Sequence, residues 1–157
     1  MHSLEAFRQT AERNYGVIKL QTKDLTNEDS LIQPPFRGNC LNWVLGHITC
    51  YRSRLLGTLG EPADWLAEQL HRYQRESEPI TGATEGVQSL EQLLNLLEQS
   101  QERIVAALQQ LPAEALQAVK GEKTVEELLT LLQWHETYHL GQLELLRQLA
   151  GKDDKVI

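Results

Sequence analysis

Apolar residues recur along this chain at intervals of three and four, not two, and the positions between them are rich in Leu, Gln, Glu and Ala. Periodicity and propensity therefore agree on α-helix, and no segment alternates as a strand does. A first helix is predicted over 3–23, with Leu4, Phe7, Ala11, Ile18 and Leu25 tracing its inward stripe and Ser3, closely followed by acids, opening it. The polar segment 26–33 and Pro34-Pro35 end it. Asn39 is the expected N-cap of a second helix over 39–59, which carries Trp43, Val44, Ile48, Tyr51 and Leu55 on one side. Gly57 and the run Gly60-Glu61-Pro62 stop that helix.

A long connection follows, 61–89, whose middle, 64–76, suits a short helix capped by Asp64 and whose end, 78–82, has the composition of a loop. A third helix is predicted over 89–111, where Ser89 and Gln92 form a capping pattern and Leu93, Leu94, Leu97, Ile104 and Leu108 follow before Pro112. Thr124 and Glu127 make a second capping box at the start of a fourth helix over 124–150, ended by Gly151. Lys152, Asp153, Asp154 and Lys155 form an expected solvated tail. The fold class is thus all-α, a four-helix bundle in one domain over 1–157, with a long crossover that makes the second and third helices parallel.

On the fourth helix, residues advancing about 100° each place Glu126, Thr130, Gln133, Thr137, Gly141, Glu144 and Gln148 on one polar face. His135 points away from that face, among Leu128, Leu131, Leu132, Leu146 and Leu149, and His139 follows one turn later on the same side. Two imidazoles at this spacing, with Cβ atoms roughly 5–6 Å apart, can share one metal ion. His47, one turn after Trp43 on the second helix, also faces inward. Three buried imidazoles each need a hydrogen-bond partner or carry a desolvation penalty of a few kcal/mol, and one shared ion removes that difficulty. His2, at the start of the chain, and His71, in the crossover beside Arg72 and Arg75, are expected at the surface.

His135-Glu136-Thr137-Tyr138-His139 is also a literal HExxH, the pattern in which the glutamate of a zinc peptidase activates water. The extended form of that pattern needs a Gly and a His where this chain has Gln142 and Leu145. Only 18 residues of the sequence follow His139, and no strand offers an edge to a peptide, so peptidase is the remote alternative. Glu136 is expected as a helix-surface or interface carboxylate, with a role as a base behind the ligands as its functional alternative. Gln142, on the buried side one turn beyond His139, is placed to orient a histidine ring or a bound water, or simply to pack.

The formal charge of −7, with 15 Lys and Arg scattered among 22 acids, argues against nucleic-acid binding. Charges in the opening Met-His-Ser-Leu-Glu-Ala-Phe-Arg disfavour a signal peptide, and no stretch reaches the roughly 20 apolar residues of a membrane span, so a cytoplasmic protein is expected. Cys40 and Cys50 match no disulfide, zinc-ribbon or thioredoxin-like spacing and are expected as reduced, incidental thiols.

The runs Asn42-Trp43-Val44-Leu45-Gly46-His47 and Trp134-His135-Glu136-Thr137-Tyr138-His139-Leu140-Gly141-Gln142-Leu143 resemble the two signature segments of the DinB-like superfamily. That resemblance implies a four-helix bundle and a divalent transition metal (Zn, Ni, Fe or Mn) on three histidines, here His47, His135 and His139. Relatives implied by it include thiol S-transferases, an isomerase and metal-dependent hydrolases, so a small-molecule thiol or electrophile is the expected substrate. A homodimer is expected from the same resemblance, with Trp134 and Tyr138 on a flank of the last helix. The alternative is a non-catalytic metal-binding or interaction protein whose ion ties the second helix to the fourth.

Overall fold

The computed structural model describes residues 3–154; the expectations for His2 and Lys155 lie outside the described residues. Four long helices form the bundle: α1 (Leu4–Thr22), α3 (Leu41–Leu59), α5 (Leu90–Gln110) and α6 (Val125–Leu149), with short helices α2 (Asn27–Ser30) and α4 (Asp64–Gln69) in the connections. They pack as a ring in which α1 and α3 each touch both α5 and α6. Side-chain bonds fix their directions. Asn42 reaches Gln88 at the start of both α3 and α5 while Arg52 reaches Gln101 farther along both, so these two helices run parallel, as the long crossover requires. Gln133 meets Phe7 and Glu144 meets Gln21, so α1 and α6 are parallel as well.

Both expected capping boxes are present. Ser89 Oγ accepts from the Gln92 amide and Gln92 Oε1 from the Ser89 amide; Thr124 and Glu127 do the same at α6. Several local expectations are corrected. The polar segment holds a third capping box, Thr26 with Asp29, and folds as the single turn α2, leaving Leu25 beyond the end of α1. The N-cap of α3 is Cys40, which has no side-chain cap bond, not Asn39. Asp64 is the first helical residue of α4 and Ala63 its cap; the helix ends at Gln69 and continues as a 3₁₀ turn, His71–Tyr73. Burial explains this: Leu66, Leu70 and Tyr73 are wholly inaccessible and hold the crossover onto α3. A two-residue ladder, β1 (Val119–Lys120) with β2 (Lys123–Thr124), closes around Gly121 at φ +68° and is too short for any alternation to be visible in sequence. The expected tail is not wholly solvated, because Asp154 pairs with the buried Arg147 at 2.8 Å.

Among the glycines of the described residues, the one with least room for a side chain is Gly46, where α3 meets the crossover. A Cβ at Gly46 would stand 2.2 Å from Tyr73 Cδ1, so the ring occupies the space where any other residue carries its side chain. The Tyr73 hydroxyl donates to Asn42 Oδ1 at 3.0 Å and accepts from the Gln88 amide at 2.8 Å. Asn42 and Gly46 thus grip one side chain from two successive turns. A Gly46→Ala substitution is expected to destabilise the fold by about 1–3 kcal/mol, the range for overpacking. Denaturant unfolding measures it, and an unchanged midpoint would contradict this packing.

Candidate metal centre

His47 projects from the middle of α3, and His135 and His139 from successive turns of α6, into the seam where those helices meet. Their ring centroids lie 4.6–5.2 Å apart, and one ligating nitrogen from each falls within 4.8 Å of the other two. The structure therefore brings all three predicted residues together. Each imidazole also touches an aromatic ring: Trp43 stacks on His47 at 4.5 Å, Tyr51 on His135 at 4.1 Å, and Tyr138 meets His139 edge-on at 5.2 Å.

Hydrogen bonds behind the rings decide which nitrogens face one another. The Tyr73 carbonyl can only accept, so His47 Nδ1 carries the proton it donates there at 2.7 Å, leaving Nε2 as a lone pair. His139 Nδ1 donates to Gln142 Oε1 at 2.6 Å, with the same result. Nε2 of His139 then stands 3.2 Å from Nε2 of His135. Two ligands at about 2.0–2.1 Å from a tetrahedral ion are separated by about 3.3 Å, so this pair already has the spacing a metal imposes. His135 is the exception, for its Nδ1 is buried without a hydrogen-bond partner, and its ring is oriented by the Tyr51 face instead. The donor set fits one divalent transition metal: neutral imidazoles, one nitrogen of each converging, a His135–His139 hydrogen bond whose single proton an ion would replace, and two of three rings held from behind.

Electrostatics favour the same state. Burial, which penalises the imidazolium, lowers the pKa of His47 to about 4 against the contrary pull of the Tyr73 carbonyl, and neighbouring His139 and Arg54 add to the lowering. Burial likewise takes His135 to about 4, followed by His139, His47 and Arg54, and it lowers His139 as well. All three rings are neutral, and so able to ligate, at pH 7.

Glu136 takes a different place from the one expected. It is buried, and its two oxygens accept from Arg52 Nε at 2.9 Å and Nη2 at 3.0 Å, while Arg52 Nη1 donates to Gln101 Oε1 at 2.9 Å. With both oxygens engaged and the side chain turned from the cavity, Glu136 is not poised as the base of an HExxH peptidase. Gln142 is the residue behind a ligand. Arg52 was not singled out in the sequence, although it lies four residues after Ile48 and three before Leu55, on their side of α3, where an unpaired cation is untenable. Tyr73 carried no such mark.

The three histidines floor a cavity of about 690 Å³. Its walls come from the loop before α3 (Pro34, Phe36, Asn39), from Arg75 of the crossover, from Trp43 and Tyr51, and from Trp134, Tyr138 and Leu145 of α6. None of its lining residues comes from α1, and none of those described carries a carboxylate. The rest of α6 corrects the helical wheel: Gln133 is buried against the Phe7 carbonyl and Thr137 bonds Asn14, so part of the polar face packs on α1. Leu131 and Leu149, placed inward by the wheel, are exposed. His71 is exposed as expected, and Cys40 and Cys50 are free and buried. No helix among the described residues is long and apolar enough to cross a membrane.

The fold is a four-helix bundle with a long crossover between its second and third long helices, and the three histidines between the second and fourth are a group that could hold a metal ion. The family model of the DinB superfamily matches residues 10–143, and the chain belongs to that superfamily. Comparison with the curated proteins finds none that matches.

Two outcomes follow from the buried charges. Arg52→Met alone strands a buried carboxylate and is expected to lower unfolding free energy by about 3–5 kcal/mol, whereas Arg52→Met with Glu136→Met recovers most of that loss. A double variant whose loss equals the sum of the Arg52→Met and Glu136→Met losses in chemical denaturation would show that the pair is not coupled. For pH, the unfolded chain takes up protons on His47 and His135 near 6.5, whereas the folded, metal-free chain resists until about 4. Acidification across that window therefore favours the unfolded state. The urea midpoint of metal-free protein should fall between pH 7 and pH 4, and fall less in a His47→Gln/His135→Gln variant; parallel curves would refute this origin.

Proposed function

We propose that this member of the DinB superfamily is a metal-dependent enzyme of the thiol S-transferase or hydrolase type, with its ion on His47, His135 and His139. The observation that carries the reading is the convergence of three neutral imidazoles at the floor of a cavity large enough for a small molecule. Three protein ligands leave at least one coordination position free, as catalytic sites do and closed structural sites do not. When bound, such an ion supplies Lewis acidity, which lowers the pKa of a thiol or of water at neutral pH.

The chain's own residues do the rest. Tyr73 and Gln142 hold two ligand rings in the tautomer that presents Nε2, and Trp43 and Tyr51 keep water from the ring faces. Trp134, Tyr138, Phe36 and Leu145 suit an apolar substrate body, and Arg75, the one cation among the described lining residues, suits an anionic group on a small-molecule thiol or electrophile.

Protein purified without an affinity tag should carry close to one equivalent of Zn, Ni, Mn or Fe. Less than about a tenth of an equivalent, unchanged by reconstitution, would defeat the proposal. His135→Ala should lose the ion, and Gln142→Ala should weaken it by about 10–100-fold in a competition titration. Thiol conjugation to an electrophile and ester hydrolysis are the activities to assay. Failure of both, together with unfolding on chelation, would favour the non-catalytic alternative in which the ion ties α3 to α6.

A further inference from the structure

A histidine that is to meet two others at one point must hold its ring plane as well as its position, because rotation about its last side-chain bond swings both nitrogens off target. Hydrogen bonds to the Tyr73 carbonyl and to Gln142 stop that rotation in His47 and His139. His135 has no such bond, its Nδ1 being buried without a partner. What lies against it is the flat of Tyr51, with ring centres 4.1 Å apart and planes inclined by 21°. Turning the imidazole would drive its edge into that face.

Tyr51 is itself held. On α3, His47, Tyr51 and Arg54 follow one another at intervals of four and three, so they share one side of the helix. The Arg54 guanidinium lies over the Tyr51 ring, its central carbon 4.4 Å from the ring centre, where the ring quadrupole attracts a cation. Two planar groups this close to one ring centre leave no room for each other on a single face, so Arg54 covers the face of Tyr51 opposite His135. Arg54 is exposed and Tyr51 half-buried, so the layers run inward from water: guanidinium, phenol, imidazole.

We propose that Tyr51 and Arg54 are positioning residues for His135, forming a three-layer stack that does for this ring what a hydrogen bond does for the other two. The inference rests on the reading of His47, His135 and His139 as ligands of one ion. It also accounts for the missing bond. Gln142 keeps the His139 proton on Nδ1, so in the metal-free chain the proton between the two Nε2 atoms, 3.2 Å apart, belongs to His135. An acceptor behind His135 would draw that proton to Nδ1 and set two lone pairs against each other. A stack fixes the plane of the ring without choosing its nitrogen.

Tyr51→Leu removes the flat face and keeps an apolar side chain. It should retain native helicity by circular dichroism and bind zinc about 10–100-fold more weakly in a competition titration, whereas Tyr51→Phe, which keeps the face, should stay within about 3-fold of native. The visible bands of cobalt-loaded protein report ligand geometry and are not moved by a general loss of stability; they should change in Tyr51→Leu and match native in Tyr51→Phe. Arg54→Gln is read through a double-mutant cycle with Tyr51→Leu, in which the direct effect of its charge on the ion is common to both backgrounds and cancels. A coupling of about 2–5-fold in zinc affinity is expected. Native affinity and bands in Tyr51→Leu, a Tyr51→Phe protein as weak as Tyr51→Leu, or a cycle without coupling would each overturn the proposal while leaving the metal reading intact. A native chain that takes up no ion would overturn both, and the native titration alone tells the two failures apart.

Discussion

Tyr73 lies flat on a turn of α3 that carries no side chain, and much of the site depends on that contact. The ring can approach only because position 46 is glycine. Its hydroxyl is held by Asn42 and Gln88, and its carbonyl is thereby delivered to His47 Nδ1. A crossover that looks like a mere connection thus sets the tautomer of a candidate metal ligand. Asn42, Gly46 and His47 act as one unit spread over two turns. The last faces the cavity, and the first two keep in place the residue that orients it.

The same α3–α6 seam holds a second polar layer. Arg52, Glu136, Gln101 and Ser100 form a buried cluster spanning α3, α5 and α6, with Arg52 five residues after His47 and Glu136 directly after His135. Directional bonds of this kind fix axial register, because a one-turn slip of α6 would part the guanidinium from both carboxylate oxygens. Register matters to the histidines more than to the leucines around them. Apolar contacts tolerate small displacements, whereas three nitrogens that meet at one point do not.

The helices, the capping boxes at Ser89 and Thr124 and the three histidines were legible because each has a local mark: period, cap chemistry, or an imidazole in an apolar stripe. What stayed hidden was non-local. Glu136 sat at the edge of its stripe, and only its partner 84 positions away made it a core residue. The face of α6 with Gln133, Thr137 and Glu144 looked solvated because it is polar, yet α1 offers matching amides there. Leu131 looked buried because it is apolar. A wheel ranks positions by polarity and cannot tell which neighbour each face meets. Tyr73 was missed for the same reason, since its role lies in its backbone carbonyl and in a glycine on another element.

The polar seam between α1 and α6 has a consequence for how the bundle opens. α1 gives the core only Phe7, Ala11 and Ile18 as fully buried apolar side chains, and much of its remaining hold on α6 is amide and hydroxyl pairing that water can replace. Of the four long helices, α1 is therefore expected to open most readily, while α3, α5 and α6 share the larger apolar interior and the Arg52 cluster. Because none of the cavity lining comes from α1, such an excursion leaves the histidine-bearing pair of helices together. The chain can breathe at its first helix while the centre it folds to build remains assembled.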